Sequence, residues 1–308
     1  MMIFVTDCDN TLVHYDTSKK HNTAVGSVAS NGDTYTEHDL ITLPASSGSG
    51  KVATVSARTL STLNEIEAES VEIICATGMR ASTMFQREKF FPSIKYWACE
   101  NGGRIYHRGK EDGQLSEIVE YGELFEQRTE CKKDLETFAD LLRVEGWDVD
   151  STGYLTMVRV RGQNFHTIVD RIPPTLSHTF NLGHLDIQYT GCGKLAAVQW
   201  IIENRLSDLS KSGETVGARG TPYFFMGDDD NDIEIASAST VAFITKPCST
   251  AMQTFIDDFN SQNGEKKSHN LKHIFEAPFL RHLGTEAMLA LVLDMAKSEK
   301  ASPQSLRK

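Results

Sequence analysis

The sequence has no tract rich in lysine and arginine, and its formal net charge is −11 at pH 7. Nucleic acids and anionic membranes are bound by clustered positive charge, so we expect neither as a partner. The chain also lacks an apolar run near the roughly 20 residues that a membrane-spanning helix requires. Its first residues have the pattern of a strand followed by acidic residues, not of a signal peptide. We therefore expect a cytoplasmic protein. A targeting peptide that has been cleaved off stays an open alternative.

The six cysteines lack the paired spacing that is typical of zinc sites and dithiol redox sites. Several of them fall in apolar segments with the pattern of buried strands, where cysteine behaves as a small apolar side chain. We therefore expect reduced thiols. With 308 residues, 40% of them hydrophobic, the chain can bury the core of one large domain or of two modest ones.

Short apolar segments alternate with amphipathic segments near both ends of the chain. This alternation is typical of an α/β fold in which helices cover a parallel sheet. The predicted strands are Ile3–Thr6, Val71–Ala76, Ile94–Ala98, Tyr223–Met226 and Val241–Ile244. The predicted helices are Arg58–Ala68, Arg80–Lys89, Gly193–Asn204, Ile233–Ser237 and Glu286–Lys297.

The middle of the chain has a different pattern, in the order helix, strand, strand, helix, strand, strand. The six predicted segments are Lys132–Val144, Trp147–Val149, Tyr154–Arg161, Phe165–Arg171, Thr179–Asn181 and Leu185–Tyr189. This order predicts a small antiparallel α+β module, residues 105–188, inserted into a core domain of residues 1–104 and 189–308. The segment His14–Val55 is rich in Ser, Gly and Thr, and we expect it to form a hairpin or flexible flap.

Asp7 and Asp9 directly follow the first predicted strand. Side chains two residues apart in an extended chain point to the same side, so both carboxylates can reach one site. Asp7 is the candidate nucleophile, which would form an aspartyl-phosphate, and Asp9 is the candidate general acid and base. Taken alone, the motif also fits an ordinary turn with a threonine cap at Thr11.

A second acidic turn, residues 227–232, follows another predicted strand. Two like charges about 4 Å apart repel by about 4 kcal/mol at an effective dielectric constant of 20, so these carboxylates and a phosphate need a cation to converge. Oxygen ligands of this kind suit Mg²⁺. We predict Asp7, Asp228 and the backbone carbonyl of Asp9 as direct ligands, and Asp232 as a ligand through water. The alternative is a solvated helix start that the helix dipole favours.

Two other motifs match the chain incompletely. Residues 228–232 have the opening spacing of an EF-hand calcium loop, but Ile233 replaces its glycine and Ser239 its closing glutamate. Residues 48–51 resemble part of a nucleotide P-loop, but the first glycine of the longer pattern and the Ser/Thr after the lysine are absent. We interpret this second segment as a flexible turn.

Donors for a phosphate group are found in two further places. Thr77 and Gly78 follow the strand Val71–Ala76 and precede a helix, so they offer a hydroxyl, backbone N–H groups and a helix N-terminus. Lys194, at the start of another predicted helix, can neutralise the phosphate and the nucleophile together. Each of these alone also fits an ordinary helix start or a surface lysine. With the two acidic turns, they predict a phosphate site of four parts.

Four ordered motifs of this chain resemble those of the haloacid dehalogenase-like (HAD) hydrolase superfamily. The four are residues 7–11, Thr77, Lys194 and residues 227–232. The insertion between the second and third motifs resembles the larger cap of the sugar phosphatases in that superfamily. Residues 100–103 are similar to an Asn-Gly signature of this branch, and residues 191–194 to the third motif of sucrose-phosphate phosphatases. Asn10, where glycine is common, and the long segment His14–Val55 depart from the pattern.

The resemblance implies a Rossmann-like core with an inserted cap, and the roles given above for the aspartates, Thr77 and Lys194. It adds Asn231 as a phosphate contact. Asp9 favours phosphatases and phosphomutases over dehalogenases, and over the ion-pumping ATPases, which have threonine at this position. The expected function is a Mg²⁺-dependent phosphatase of a small phosphorylated metabolite, with sugar phosphates favoured. A phosphomutase of the phosphomannomutase type and a non-catalytic sugar-phosphate-binding regulator stay open as alternatives.

Four further residues are candidates for contacts with the rest of the substrate. Arg159 and Arg161 are two residues apart at the end of a predicted cap strand and can present both charges on one face. Our hypothesis is that one or both hold the leaving group, and the alternative is that they are solvated charges on the strand. Arg80 and Asn101 complete the set. The sequence leaves the identity of the sugar and the oligomeric state open.

Overall fold

The computed structural model describes residues 2–15, 40–46, 50–126, 129–206, 221–261 and 270–301. Residues 16–39 and 47–49 of the predicted flap, including two residues of the motif at 48–51, lie outside these ranges. None of the helices within the ranges is long and apolar enough to cross a membrane.

The described strands and helices are numbered along the chain. The strands are β1 (Ile3–Thr6), β2 (His14–Tyr15), β3 (Leu40–Thr42), β4 (Ala53–Ser56), β5 (Glu72–Ala76), β6 (Tyr96–Cys99), β7 (Arg104–Arg108), β8 (Leu115–Glu117), β9 (Asp148–Asp150), β10 (Met157–Arg161), β11 (Leu176–Asn181), β12 (His184–Tyr189), β13 (Phe224–Gly227), β14 (Val241–Ile244) and β15 (His273–Glu276). The helices are α1 (Ala57–Ala68), α2 (Ala81–Arg87), α3 (Val119–Glu126), α4 (Thr129–Val144), α5 (His166–Val169), α6 (Lys194–Ile201), α7 (Ile233–Ala238), α8 (Thr250–Ser261) and α9 (Arg281–Ala301).

The central sheet has the strand order β15-β14-β13-β1-β5-β6-β7-β8. Strand β1 pairs in parallel with β5 on one side and β13 on the other. All four of its residues are buried, as a central strand covered on both faces requires. Because parallel strands end at the same edge, the turns after β1, β5 and β13 meet there, as in other open α/β sheets. These turns carry Asp7, Thr77 and Asp228.

Helices cover both faces of this sheet. Side chains alternate along a strand, so Ile3 and Val5 of β1 pack into one apolar cluster and Phe4 packs into another. The first cluster includes residues of α6 and α7, and the second includes residues of α1 and α9. The α/β core predicted from the alternating pattern is therefore confirmed, with strand and helix ends shifted by a few residues. The six cysteines form no disulfide, and five of them are buried.

The strands β11-β12-β10-β9, in this order, form a smaller antiparallel sheet that is separate from the central sheet. We call it the cap sheet. Helix α4 packs against its strands. The chain order α4, β9, β10, α5, β11, β12 matches the order of helices and strands predicted for the inserted module. Strands β7 and β8 lie almost entirely within the predicted module but belong to the central sheet. β7 pairs antiparallel with β6, and β8 pairs antiparallel with β7. The domain boundaries at residues 105 and 188 stay a prediction.

The described ends of the predicted flap form a three-stranded antiparallel sheet in the order β2-β4-β3. His14 in β2 packs edge-on against His282 in α9, with ring centroids 4.6 Å apart. The Nε2 atom of His14 lies 2.9 Å from the hydroxyl of Thr285, which itself donates to the carbonyl of Thr11 at 2.5 Å. Helix α9 thereby joins the flap sheet to the turn that follows β1.

Candidate functional site

Three aspartates converge at the carboxyl edge of the central sheet. One carboxylate oxygen from each of Asp7, Asp228 and Asp232 lies within 4.8 Å of the other two, and all three residues are buried. The hydroxyl of Thr11 donates to Oδ1 of Asp228 at 2.6 Å. Within the turn of residues 227–232, Oδ2 of Asp232 accepts the backbone N–H of Asp228 at 3.1 Å and closes the turn. A Cβ on Gly227 would lie 2.5 Å from that same oxygen, so a glycine is required there.

Lys194 is the cation that the fold places among these carboxylates. It is the first residue of α6, and its Nζ lies 2.9 Å from Oδ1 of Asp7 and 2.7 Å from Oδ1 of Asp232. The same Nζ donates to Oδ1 of Asn231 at 3.2 Å. Burial alone would lower the pKa of Lys194, but Asp232 and Asp7 raise it overall, so the amine is protonated. The side chain of Lys194 is 2% exposed, which excludes the interpretation as a surface lysine.

A close backbone contact sets the position of Lys194. A Cβ on Gly102, which has φ = +84°, would lie 2.2 Å from the carbonyl oxygen of Gly193. Glycine at residue 102 therefore lets the start of α6 approach the turn after β6. This contact gives a physical reason for the Asn-Gly signature noted in the sequence.

The charges of the cluster leave room for a divalent cation. Three carboxylates and one ammonium give a formal charge of −2. Burial raises the pKa of Asp7 to about 8, with Lys194 opposing the rise and Asp232 adding to it. The pKa of Asp228 is also raised, first by burial and then by Asp7. An ion held by oxygen atoms would restore the ionised form of these carboxyls, so the donor set fits Mg²⁺.

Asp9 lines a cavity of about 350 Å³, and its charge also acts on Asp7. Its Oδ1 accepts hydrogen bonds from the hydroxyl of Tyr15 at 2.7 Å and from Nη1 of Arg87 at 2.9 Å. Arg87 is the last residue of α2 and is fully buried. Burial would lower its pKa, but Asp9 and then Tyr15 raise it overall, so it is charged. The neighbouring Asn10 has φ = +61°, a conformation that asparagine tolerates better than most residues, which accounts for the departure from glycine.

Tyr15 and Arg87 are the residues of this site that the sequence does not indicate. Arg87 lies at the end of a predicted amphipathic helix, where an arginine is ordinarily solvated. Tyr15 lies in the flap, whose geometry the sequence leaves open. Burial first, and then Asp9, raises the pKa of Tyr15, so its hydroxyl is a hydrogen-bond donor near neutral pH.

The predicted phosphate-binding residues lie where the core meets the cap sheet. Asn231 donates through Nδ2 to Oδ1 of Asn101 at 3.0 Å, and Asn101 donates to Asp186 of β12 at 3.0 Å. The hydroxyl of Thr77 accepts the backbone N–H of Met79 at 3.2 Å. A Cβ on Gly78 would lie 2.0 Å from Nδ2 of Asn181 in the cap, so glycine allows the two parts to touch.

The predicted substrate arginines all line the cavity next to Asp9. Arg159 is held by two hydrogen bonds to Asp186, at 2.6 and 2.7 Å. Arg80 and Arg161 each donate to the same oxygen of Asp150 at 2.6 Å. The structure therefore brings these residues to one cavity, in a network of ion pairs and not as isolated solvated charges. Their roles in binding stay a prediction.

No family model matches the sequence, and no curated protein sequence matches it significantly. Solved structures do match. A HAD subclass IIB sugar phosphatase aligns with a TM-score of 0.54, covering 98% of this chain and 98% of its own, at 10% identity. A phosphatase of the HAD enzyme superfamily from Bacteroides thetaiotaomicron aligns at 0.52, covering 96% of each chain, at 14% identity. The C-terminal domain of a trehalose-6-phosphate phosphatase from C. albicans aligns at 0.51, covering 96% of this chain and 93% of its own, at 9% identity.

Similarity at such low identity concerns the fold. The alignments extend over both the parallel core and the antiparallel cap sheet, since they cover nearly the whole chain. The chain has the fold of the capped HAD phosphatases.

Proposed function

We propose that this protein is a Mg²⁺-dependent phosphatase of a small phosphorylated metabolite, most readily a sugar phosphate, and that it acts through an aspartyl-phosphate on Asp7. The observation that carries the proposal is the buried contact of Lys194 with both Asp7 and Asp232. It places a protonated amine against the nucleophile and leaves a formal charge of −2 that matches a divalent cation. The alternative, an acidic helix start that only faces solvent, would need neither a buried amine beside Asp7 nor a charge that matches a divalent cation.

The residues divide the reaction between them. Asp7 attacks the phosphorus while the bond to the leaving oxygen breaks, and Asp9 donates a proton to that oxygen. Asp9 then takes a proton from the water that hydrolyses the aspartyl-phosphate, and this releases inorganic phosphate and restores Asp7. Lys194 holds Asp7 and neutralises phosphoryl oxygens throughout.

Asp7, Asp228 and Asp232, with the carbonyl of Asp9, are the groups that would hold Mg²⁺. When bound, this ion supplies charge neutralisation for the phosphoryl oxygens. Asp228 is positioned for this by Thr11, and Asp232 by the backbone N–H groups of the turn it closes.

Contacts between the cap and the core support a small substrate. The tip of the β11–β12 hairpin reaches the core, where the backbone N–H of Leu182 donates to Asp229. Asn181 and Asn101 both donate to Asp186 beside it. The cavity of about 350 Å³ is at the lower end of the size range of ligand pockets. A sugar phosphate suits such a space, and closure of the cap would exclude bulk water during phosphoryl transfer.

Metal dependence tests the proposal directly. We expect at least one member of a panel of phosphorylated sugars to release inorganic phosphate, with activity abolished by EDTA and restored by Mg²⁺. In Asp228→Asn, the Mg²⁺ concentration for half-maximal activity is expected to rise at least about tenfold, because an ionised oxygen ligand is lost. Asp230→Asn is the matched control, since Asp230 is in the same turn but outside the cluster of three.

Two other results of the same assay would contradict the proposal. Conversion of a hexose 1-phosphate to its 6-phosphate without phosphate release would indicate a phosphomutase. Binding of a sugar phosphate with no turnover of any panel member, at any Mg²⁺ concentration, would indicate a non-catalytic regulator.

Replacement of Arg87 tests whether Asp9 acts as the proton donor. Arg87→Met keeps the apolar part of the side chain but removes a charge-assisted hydrogen bond from Asp9, so we expect kcat to fall roughly 10- to 100-fold. The loss in kcat/KM, which reports phosphorylation of Asp7, should be larger for alkyl phosphates than for p-nitrophenyl phosphate, whose leaving group needs no proton, and Arg87→Lys should recover part of it. Arg108→Met is the control, because Arg108 pairs with Glu88 and not with Asp9. An equal loss for both kinds of substrate would show that Arg87 has only a structural role.

A further inference from the structure

The cavity beside Asp9 has a wall of strongly positive character in a chain of negative net charge. Among its described lining residues are five lysines and arginines and a single carboxylate, that of Asp9. The five cations are Lys51, Arg80, Arg159, Arg161 and Arg281. They come from the segment before β4, the turn after β5, the cap strand β10 and the start of α9. Distant parts of the chain therefore bring positive charge to one small space.

The acids that pair with the cap arginines leave the cavity surface positive. Asp150 and Asp186 hold Arg80, Arg161 and Arg159, and neither aspartate is among the described lining residues. Asp9, the acid that does line the cavity, is already paired with Arg87. A ligand in the cavity would thus meet guanidinium groups and not their carboxylates.

Arg80 and Arg161 share one carboxylate between them. Both donate to Oδ2 of Asp150, so two full positive charges are held by one negative charge at this corner. Asp148 approaches Nη1 of Arg161 at 3.5 Å, but the Asp148 side chain is 64% exposed, so water screens that pair. The corner between Arg80 and Arg161 is therefore an excess of positive charge that a ligand can balance.

Both guanidinium groups are held in position before a ligand binds. The guanidinium carbon of Arg80 lies 4.3 Å from the ring centroid of Tyr154, and the Arg80 side chain is 7% exposed. Arg161 keeps 36% of its side chain exposed, so it can take a second partner. His184 adds a polar group to the same cavity, and its buried Nδ1 has no hydrogen-bond partner in the part of the chain that the structure describes. Planar, fixed guanidinium groups bind carboxylate and phosphate oxygens better than neutral hydroxyls.

We infer that the substrate carries a second anionic group, a carboxylate or a second phosphate, and that Arg161 and Arg80 bind it while the first phosphate lies at Asp7. This inference rests on the proposed phosphatase function and narrows its substrate class. A neutral sugar at the same place would remove water from the two arginines without matching their charge, which is costly. The second anion compensates that cost, and the sugar hydroxyls are left for His184 and its neighbours.

Matched substrates test the inference. We would compare a hexose 6-phosphate with its 1,6-bisphosphate and with the corresponding aldonic acid 6-phosphate, which adds a carboxylate. The value of kcat/KM is expected to be roughly 10- to 100-fold higher for one or both doubly anionic compounds, as charged hydrogen bonds of this kind provide. The two compounds distinguish phosphate from carboxylate as the preferred group.

In Arg161→Gln, the ratio of kcat/KM between the doubly and singly anionic members should fall by about tenfold or more. The exposed cap arginine variant Arg171→Gln should keep the wild-type ratio, because Arg171 pairs with Glu145 outside the cavity.

Binding measurements separate this inference from the proposed chemistry. Calorimetry on the full-length Asp7→Asn protein gives dissociation constants of the same three compounds without turnover. Tighter binding of a doubly anionic compound, lost when Asp7→Asn is combined with Arg161→Gln, supports the second anion site even if no phosphate release is found. The inference would be overturned if the three sugar compounds had equal kcat/KM values and bound with equal affinity. If the protein still hydrolysed p-nitrophenyl phosphate, the phosphatase proposal would be left standing.

Discussion

Release of phosphate from every substrate is expected to fall by at least about 10⁴-fold when Asp7 is replaced by asparagine, because the amide cannot form the acyl-phosphate bond. Asp7 directly follows β1, and Lys194 contacts its carboxylate at 2.9 Å. Asparagine keeps the shape of the side chain, so the loss would come from chemistry and not from packing. Mass spectrometry of acid-quenched wild-type protein should show a phosphate adduct on the peptide that contains Asp7, and the variant should show none.

The stability of the same variant provides the control. In the metal-free protein, burial raises the pKa of Asp7 from 3.8 to about 8. The unfolded chain therefore releases this proton at lower pH than the folded chain, so the group makes the folded state less stable as pH rises from about 4 to 8. Asp7→Asn removes that effect, and we expect its Tm at pH 7 without metal to equal or exceed that of the wild type. A variant that is already unfolded at the assay temperature would mean that misfolding, and not loss of the nucleophile, explains the inactivity.

Most of the core of this site could be predicted from local sequence patterns. Asp7, Thr77 and Asp228 each follow an apolar segment, and parallel strands end at the same edge of a sheet, so their convergence follows from the strand pattern alone. Lys194 is ambiguous in the sequence, since a lysine at a helix start is ordinarily exposed. Its burial depends on the close approach of Gly102 to Gly193, which only the tertiary structure shows.

The cap and the surroundings of Asp9 could be predicted only in part, because their contacts depend on register. Arg159 lies directly opposite Asp186 in the β10–β12 pair, and Arg161 lies opposite Asp148 in the β10–β9 pair. Shifting a strand by one residue would reverse which face these arginines occupy, and the sequence does not specify the pairing. Arg87 meets Tyr15 from a helix 72 residues farther along the chain, a contact with no local signal.

The short strands at the sheet edges are also missing from the sequence-based prediction. β8 is the three-residue segment Leu115–Glu117, and β15 alternates only weakly, with His273 exposed. Edge strands are short and partly solvated, so their hydrophobic pattern is weak. The sequence of β7 fits any half-buried strand, so it does not indicate which sheet β7 joins. In the structure, the turn between β6 and β7 lets β7 pair with β6 in the central sheet.

Replacement of Asp9 by asparagine is expected to separate the two chemical steps. For a sugar phosphate, the leaving oxygen needs a proton, so kcat should fall by roughly 10²- to 10⁴-fold. For p-nitrophenyl phosphate, the leaving group departs without a proton, so Asp7 can still be phosphorylated. Hydrolysis of the aspartyl-phosphate remains slow, because no base activates the water.

The Asp9→Asn variant should therefore give a burst of nitrophenol close to one equivalent of enzyme, followed by slow turnover, in stopped-flow absorbance measurements. Asp7→Asn in the same instrument should show neither phase, because it lacks the carboxylate that takes up the phosphoryl group. Asp9 lies in the cavity with its carboxylate held by Tyr15 and Arg87, so the amide introduced by Asp9→Asn would occupy the same place and the first step should keep its geometry. Equal slowing of nitrophenol release and phosphate release, with no burst, would show that Asp9 supports nucleophilic attack itself, and the assignment of Asp9 as the proton-transferring residue would then be wrong.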